Sequence, residues 1–213
     1  MKLLAAGDSF TNGMELTDPR LAWPYVLADK LGMTATNLGF DGSSNSRIVK
    51  SVVTADVKKY DLVIVAWSHF DRLTMADEMG IWDTWPGGQR TCYREAKFRI
   101  DFVNYYTRHH DDDYLYQHYL LDIILLQNFL DKNNINYLMC DAFGNHRDQR
   151  RFAVENQSLI DQLDVDKFLG WPYQSMQEWI GDAPVGPRGH FLELGHQRVA
   201  DKFYETLSQH SEL

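Results

Sequence analysis

The run Asp61-Leu62-Val63-Ile64-Val65-Ala66-Trp67 constrains this chain more than any other segment. It is continuously apolar, rich in β-branched residues, and carries no polar residue at alternate positions. A strand of that kind has two faces to hide, as at the centre of a parallel sheet covered by helices on both sides. Its surroundings agree. Lys2–Ala6, Thr34–Leu38 and Ile135–Cys140 read as further strands. Helical patterns fall between and after them. Pro19–Leu31 turns Leu21, Tyr25 and Ala28 inward, and Asn45–Val57 turns Ile48, Val52 and Val53 inward. Asp113–Leu130 is the longest helix, and Glu193–Leu207 presents Val199, Phe203 and Leu207 on one face. Alternating strands and helices predict a three-layer α/β/α domain of flavodoxin-like type with about five parallel strands.

The 213 residues, 44% hydrophobic and 24% charged, fit one soluble domain spanning the whole chain. Folding at this size removes roughly 70% of the extended chain's surface from water, enough for a core without staples. Leu73–Tyr119 breaks the rhythm after the third strand with Trp82, Trp85, Pro86-Gly87-Gly88 and His109-His110-Asp111-Asp112-Asp113. We read it as a lid-like insertion that shapes access to a site, or as a flap whose aromatics pack on the body.

Thirty acidic against 21 basic residues give a net charge of −9, and the basic residues are scattered. Nucleic acid and anionic membrane surfaces, which need a basic face, are excluded as expected partners. Cys92 and Cys140 have no metal-ligand spacing; they could form one bridge, but read sooner as free buried thiols of a reducing compartment. No apolar run approaches the ~20 residues of a spanning helix. The start Met1–Ala6 is too short an apolar stretch for a signal peptide before Gly7-Asp8-Ser9, so a cytoplasmic protein is expected.

Three strand-end features carry chemistry. Gly7-Asp8-Ser9-Phe10-Thr11-Asn12-Gly13 follows the first strand, where a parallel sheet puts its site, and the Ser9 N–H can face a developing oxyanion. Asn37-Leu38-Gly39-Phe40-Asp41-Gly42-Ser43-Ser44-Asn45 repeats strand, turn and helix, with Gly42 offering an unhindered N–H. Gly189-His190 precedes the last helix, where a loop histidine can serve a distant serine as general base. Taken alone, each of the first two motifs reads more readily as a turn with a helix cap, and a single loop histidine more readily as structural; the three in this order are harder to read so. The histidine–aspartate run at 109–113 has metal-ligand types, but adjacent loop residues seldom converge on one ion, and no metal is expected.

Together the three blocks resemble the SGNH (GDSL-like) hydrolase family, and more loosely its compact phage and bacterial members. The matching residues are Gly7, Asp8, Ser9, Thr11 and Gly13; Asn37, Gly39 and Gly42; and His190 with Gly195-His196. The resemblance implies an esterase acting on a small acyl group such as acetyl, possibly on a glycan, with no cofactor. Ser9 would be the nucleophile and His190, rather than His196, the base. The oxyanion would be held by the N–H groups of Ser9 and Gly42 with Ser68 or His69. Asp8, Asn45, Trp82 and Trp85 are candidate substrate contacts.

Two departures stand out. His69 occupies the place of the family's oxyanion asparagine, and Pro187 the place of its acid. The acid is therefore either displaced, with Asp182 the nearest upstream candidate, or absent. A binding or structural protein with a weakened site is the alternative, and an acyltransferase would share the acyl-enzyme. The oligomeric state is not legible.

Overall fold

The structure, a computed structural model, describes residues 1–87, 97–144 and 155–209. The strands are β1 (Lys2–Ala6), β2 (Thr34–Asn37), β3 (Leu62–Trp67), β4 (Leu73–Asp77), β5 (Gly80–Thr84) and β6 (Tyr137–Asp141). The helices are α1 (Ser9–Asn12), α2 (Trp23–Leu31), α3 (Asn45–Thr54), α4 (Lys97–His109), α5 (Asp112–Lys132), α6 (Gln157–Ile160), α7 (Met176–Ile180) and α8 (Glu193–Gln209).

Among the described residues, four strands pair in parallel in the order β2-β1-β3-β6, and β4-β5 form a separate antiparallel hairpin. The place of an expected fifth strand beside β6 holds one bridge, Met139 to Phe168, with Leu169 N–H on Met139 O at 2.8 Å. The chain then turns away, because Tyr173 and Gln174 both donate back to Gly170 O. Every residue of β3 is buried, so the central apolar run has both faces covered.

Alternation along the strands divides the core in two. Leu4, Ala6, Val63, Val65, Trp67 and Met139 face α3 and α5. Leu3, Ala5, Ile64, Ala66, Leu138 and Cys140 face α2, α7 and α8. The chain passes from β1 to β2 on one side and crosses to β3 on the other, which opens a crevice at the carboxyl ends of β1 and β3. No helix of the described residues is long and apolar enough to cross a membrane.

Two helix faces differ from expectation. Pro19–Leu21 is a separate 3₁₀ turn capped by Asp18, which leaves Leu21 exposed; α2 starts at Trp23 and buries Trp23, Leu27 and Ala28. In α3 the buried pair is Ile48 and Val52, four residues apart; Val53 lies about 100° further round the helix and is exposed.

α2 lacks a side-chain cap of its own. Trp23 N–H instead donates to Nδ1 of the buried His196 at 3.2 Å, tying α2 to α8. Burial pushes His196 down to about 4 from its ordinary 6.5. Between those pH values the unfolded chain holds a proton that the folded chain does not. Stability from this residue is therefore complete above about pH 6.5 and is lost as pH falls toward 4, on the order of 3 kcal/mol. His196→Gln keeps an acceptor but cannot titrate. Its melting temperature should fall less than that of the wild type between pH 6.5 and 4, as read by calorimetry.

Candidate active site

β1 ends in Gly7-Asp8 and turns at once into α1, whose first residue is Ser9. Asp8 is fully buried and caps α1, its Oδ1 accepting Phe10 N–H at 3.0 Å. Its Oδ2 accepts Ser68 Oγ–H at 3.0 Å and Arg72 Nη1–H at 3.0 Å. Burial pushes the Asp8 carboxyl up against the opposing pull of Arg72, the Phe10 N–H and the Ser68 hydroxyl. This network fixes the backbone that carries Ser9.

α1 closes at Gly13, and two residues on Glu15 adopts φ 73, a left-handed conformation uncommon outside glycine. The kink carries the Glu15 carboxylate under the loop that precedes α8. That loop wraps it. Arg188 N–H lies 3.0 and 3.1 Å from the two carboxylate oxygens, and His190 N–H lies 3.1 Å from Oε2. His190 Nδ1 is 2.9 Å from the same Oε2, and His190 Nε2 is 2.9 Å from Ser9 Oγ. A side chain on Gly186 would put its Cβ 2.7 Å from the Glu15 carboxyl carbon, so only glycine leaves room for this approach. Burial works to raise Glu15, but the Arg188 and His190 N–H groups and the His190 ring outweigh it and hold the carboxyl below its ordinary range.

The structure thus joins Ser9, His190 and Glu15 in one hydrogen-bonded line. Asp182 is not brought to it. Its side chain is 92% exposed and pairs with Arg198 Nη1 at 2.7 Å, on the α8 flank. Glu15 stands in the position foreseen for an acid three residues before the histidine, and it comes from the opposite end of the chain. The signal that would have found it is an acidic residue closely following the Gly-Asp-Ser block.

In the loop after β2, Gly42 has φ 76, and its N–H, like that of Ser9, has no acceptor among the described residues. Ser68 and His69 are engaged elsewhere. The Ser68 hydroxyl donates to Asp8, and His69 Nδ1 lies 2.7 Å from Asp71 Oδ1 with its ring stacked on Phe70. Asn45 ties α3 to the end of β3, its Oδ1 accepting Ser68 N–H at 2.9 Å and its Nδ2 donating to Ser68 O at 3.3 Å. Trp82 is buried between the hairpin and α4, against Phe102 and Val103. Trp85 lies at the crevice, 3.3 Å from where a Cβ on Gly42 would sit and 5.3 Å from the Arg72 guanidinium. The Phe143 ring also lies 4.9 Å from the Arg72 guanidinium.

Among the described residues, no group of three or more histidine, cysteine, aspartate or glutamate side chains could hold a metal ion. In the 109–113 run, His110 Nδ1 meets Tyr106 O and Asp111 caps α5. Cys140 is buried, and Cys92, Asn145 and His146 lie outside the described residues.

No family model matches the sequence, and no curated protein matches it. Solved structures do. The psychrotrophic esterase EstA from Pseudoalteromonas sp. superposes with a TM-score of 0.58 at 11% identity, covering 100% of this chain and 99% of that one. A member of the lipolytic protein G-D-S-L family from Veillonella parvula gives 0.51 at 15% identity, over 98% and 99%. The acetyl xylan esterase Est2A from Butyrivibrio proteoclasticus gives 0.54 at 13% identity, over 98% of this chain and 63% of that one. At such identities the likeness bears on the fold alone, and there it is consistent: this chain has the fold of the SGNH (GDSL-like) hydrolases.

Proposed function

We propose that the protein is a serine hydrolase that cleaves carboxylic esters of small acyl groups through an acyl-enzyme, with Ser9, His190 and Glu15 as its working unit. The observation that carries this reading is the single imidazole that meets Ser9 Oγ with one nitrogen and a carboxylate with the other, 2.9 Å on each side. A nucleophile, a base within hydrogen-bond reach and a group orienting that base are what acyl transfer requires.

In this mechanism Ser9 Oγ forms a bond to the ester carbonyl carbon while its proton passes to His190 Nε2. The carbonyl π pair moves to oxygen, which faces the N–H groups of Ser9 and Gly42. Collapse breaks the bond to the alkoxy oxygen, which leaves with the proton from Nε2. Water repeats the sequence on the acyl-enzyme, releasing the acid and restoring the Ser9 hydroxyl. Glu15, ionised well below neutral pH, holds the proton on Nδ1 and stabilises the imidazolium. The acetyl xylan esterase Est2A among the structural likenesses supports an acetylated glycan as the substrate to try first.

Ser9→Ala and His190→Ala should each abolish hydrolysis of p-nitrophenyl acetate and labelling by a fluorophosphonate probe. Because the two act as one unit, the double variant should be no worse than either alone. Wild-type protein that resists the probe would favour the binding-protein alternative.

Glu15→Gln should lower kcat by about 10²- to 10⁴-fold, since an amide misdirects the Nδ1 proton and cannot stabilise the cation. Asp182→Asn should leave kcat unchanged. Steady-state kinetics on one short ester separates the two.

Gly42→Ala puts a Cβ at φ 76 and against Trp85. Displacing its N–H from the oxyanion should cost up to around 3 kcal/mol of transition-state stabilisation, read as a fall of up to roughly 10²-fold in kcat.

A further inference from the structure

We infer that Trp85 is the end wall of the acyl subsite and restricts the enzyme to acyl groups of about acetyl size; the inference rests on the proposed Ser9 chemistry. At a tetrahedral carbon bound to Ser9 Oγ, two other directions are already assigned. The oxyanion faces the Ser9 and Gly42 N–H groups, and the leaving oxygen must lie near His190 Nε2 to take its proton. The acyl chain has the direction that remains.

A series of contacts links the histidine to the ring beside Gly42. It runs from His190 to Phe10 at 5.1 Å, from Phe10 to Phe143 at 4.9 Å, through the Arg72 guanidinium at 4.9 and 5.3 Å, and ends at Trp85. Trp85 thus stands on the Gly42 side of the crevice and is linked to His190 only through these intermediates. Trp85 closes on Gly42, where the indole would lie only 3.3 Å from a Cβ. A chain leaving the carbonyl away from His190 meets this ring.

The wall is held from behind. Trp85 follows β5 directly, and Asp83, two residues before it, is buried and fastened to the body. Its Oδ2 pairs with Arg47 Nε at 2.5 Å, and its Oδ1 accepts Thr74 Oγ1–H at 2.6 Å and Ser44 N–H at 3.4 Å. Arg72, against the indole face, is anchored on buried Asp8. Neither support can swing aside without breaking a buried ion pair, so a longer acyl chain finds a fixed obstacle rather than a yielding one.

The test uses sulfonyl fluorides, in which Ser9 Oγ bonds to sulfur, fluoride leaves, and the serine proton passes to His190. No turnover or natural substrate is needed. Methanesulfonyl and octanesulfonyl fluoride are compared by the rate of mass gain on Ser9. Wild-type protein should favour the methyl reagent by at least about tenfold, and Trp85→Ala should reduce that ratio about tenfold or more. Trp85→Leu, which retains apolar bulk against Gly42 and Arg72, should give an intermediate ratio and guards against a misfolded alanine variant. Equal wild-type rates, or a ratio unmoved in both variants, would overturn the wall while leaving the nucleophile intact. A shift confined to the alcohol part of a series of acetate esters would place Trp85 on the leaving-group side and overturn it too. No labelling by either reagent would remove the Ser9 chemistry and the wall with it.

Discussion

The carboxylate of Glu15 and the N–H groups turned toward it are what the arrangement around Ser9 depends on. A half-buried carboxylate needs donors for its lone pairs, and this one draws them from a single short loop: Arg188 N–H, His190 N–H and the His190 ring. Gly186 bends that loop, its N–H on His190 O at 2.8 Å, and leaves the space the carboxylate fills. The same bonds offset the cost of the left-handed Glu15 backbone, on the order of 1–3 kcal/mol for such conformations. Orientation of the imidazole toward Ser9 follows from this packing. In the proposed mechanism the orienting acid and the scaffold of the base are one group.

A second carboxylate, this one fully buried, organises the other half of the crevice. Asp8 gathers the start of α1, the end of β3 through Ser68, and the base of the insertion through Arg72. Arg72 reaches Ser43 O as well, so the loop bearing Gly42 is tied into the same cluster. Removing one partner from such a cluster leaves an uncompensated buried charge, which is far more damaging than the loss of a surface pair. The insertion begins on this foundation, and Arg99 holds its hairpin to α4 through Asp77 at 2.6 and 2.7 Å.

Much of this was legible in the order of residues, because the readable parts are local. The apolar run of β3, the strand–turn–helix signature at Ser9 and the glycine at 42 each declare themselves within a few positions. His190 could be preferred to His196 because one precedes the helix and the other lies within it. Glu15 was hidden for the opposite reason. Its role depends on a neighbour 175 residues away, and sequence proximity to the histidine pointed to Asp182, which has Arg198 for a partner. Trp82 and Trp85 look alike in the sequence, yet the alternation of β5 and the strand's end send one into the flap's own packing and the other to the crevice. Leu21 and Val53 were misjudged because a 3₁₀ turn and a narrow apolar stripe shift the inward face by a residue or two.

His196 takes no part in the line from Ser9 to Glu15, and it nonetheless governs how that line assembles. Bringing His190 to Ser9 closes a loop of 181 residues, an entropic cost of roughly 4 to 5 kcal/mol for an unstructured chain. The bond from Trp23 N–H to His196 spans 173 residues and joins two helices that also share an apolar interface. Once α8 has docked through that contact, His190 is six residues from a fixed point and the search left to it is short. The arrangement around Ser9 is then a late, local consequence of helix docking, and variants that loosen α2 from α8 would be felt first as a longer search by the loop that carries His190.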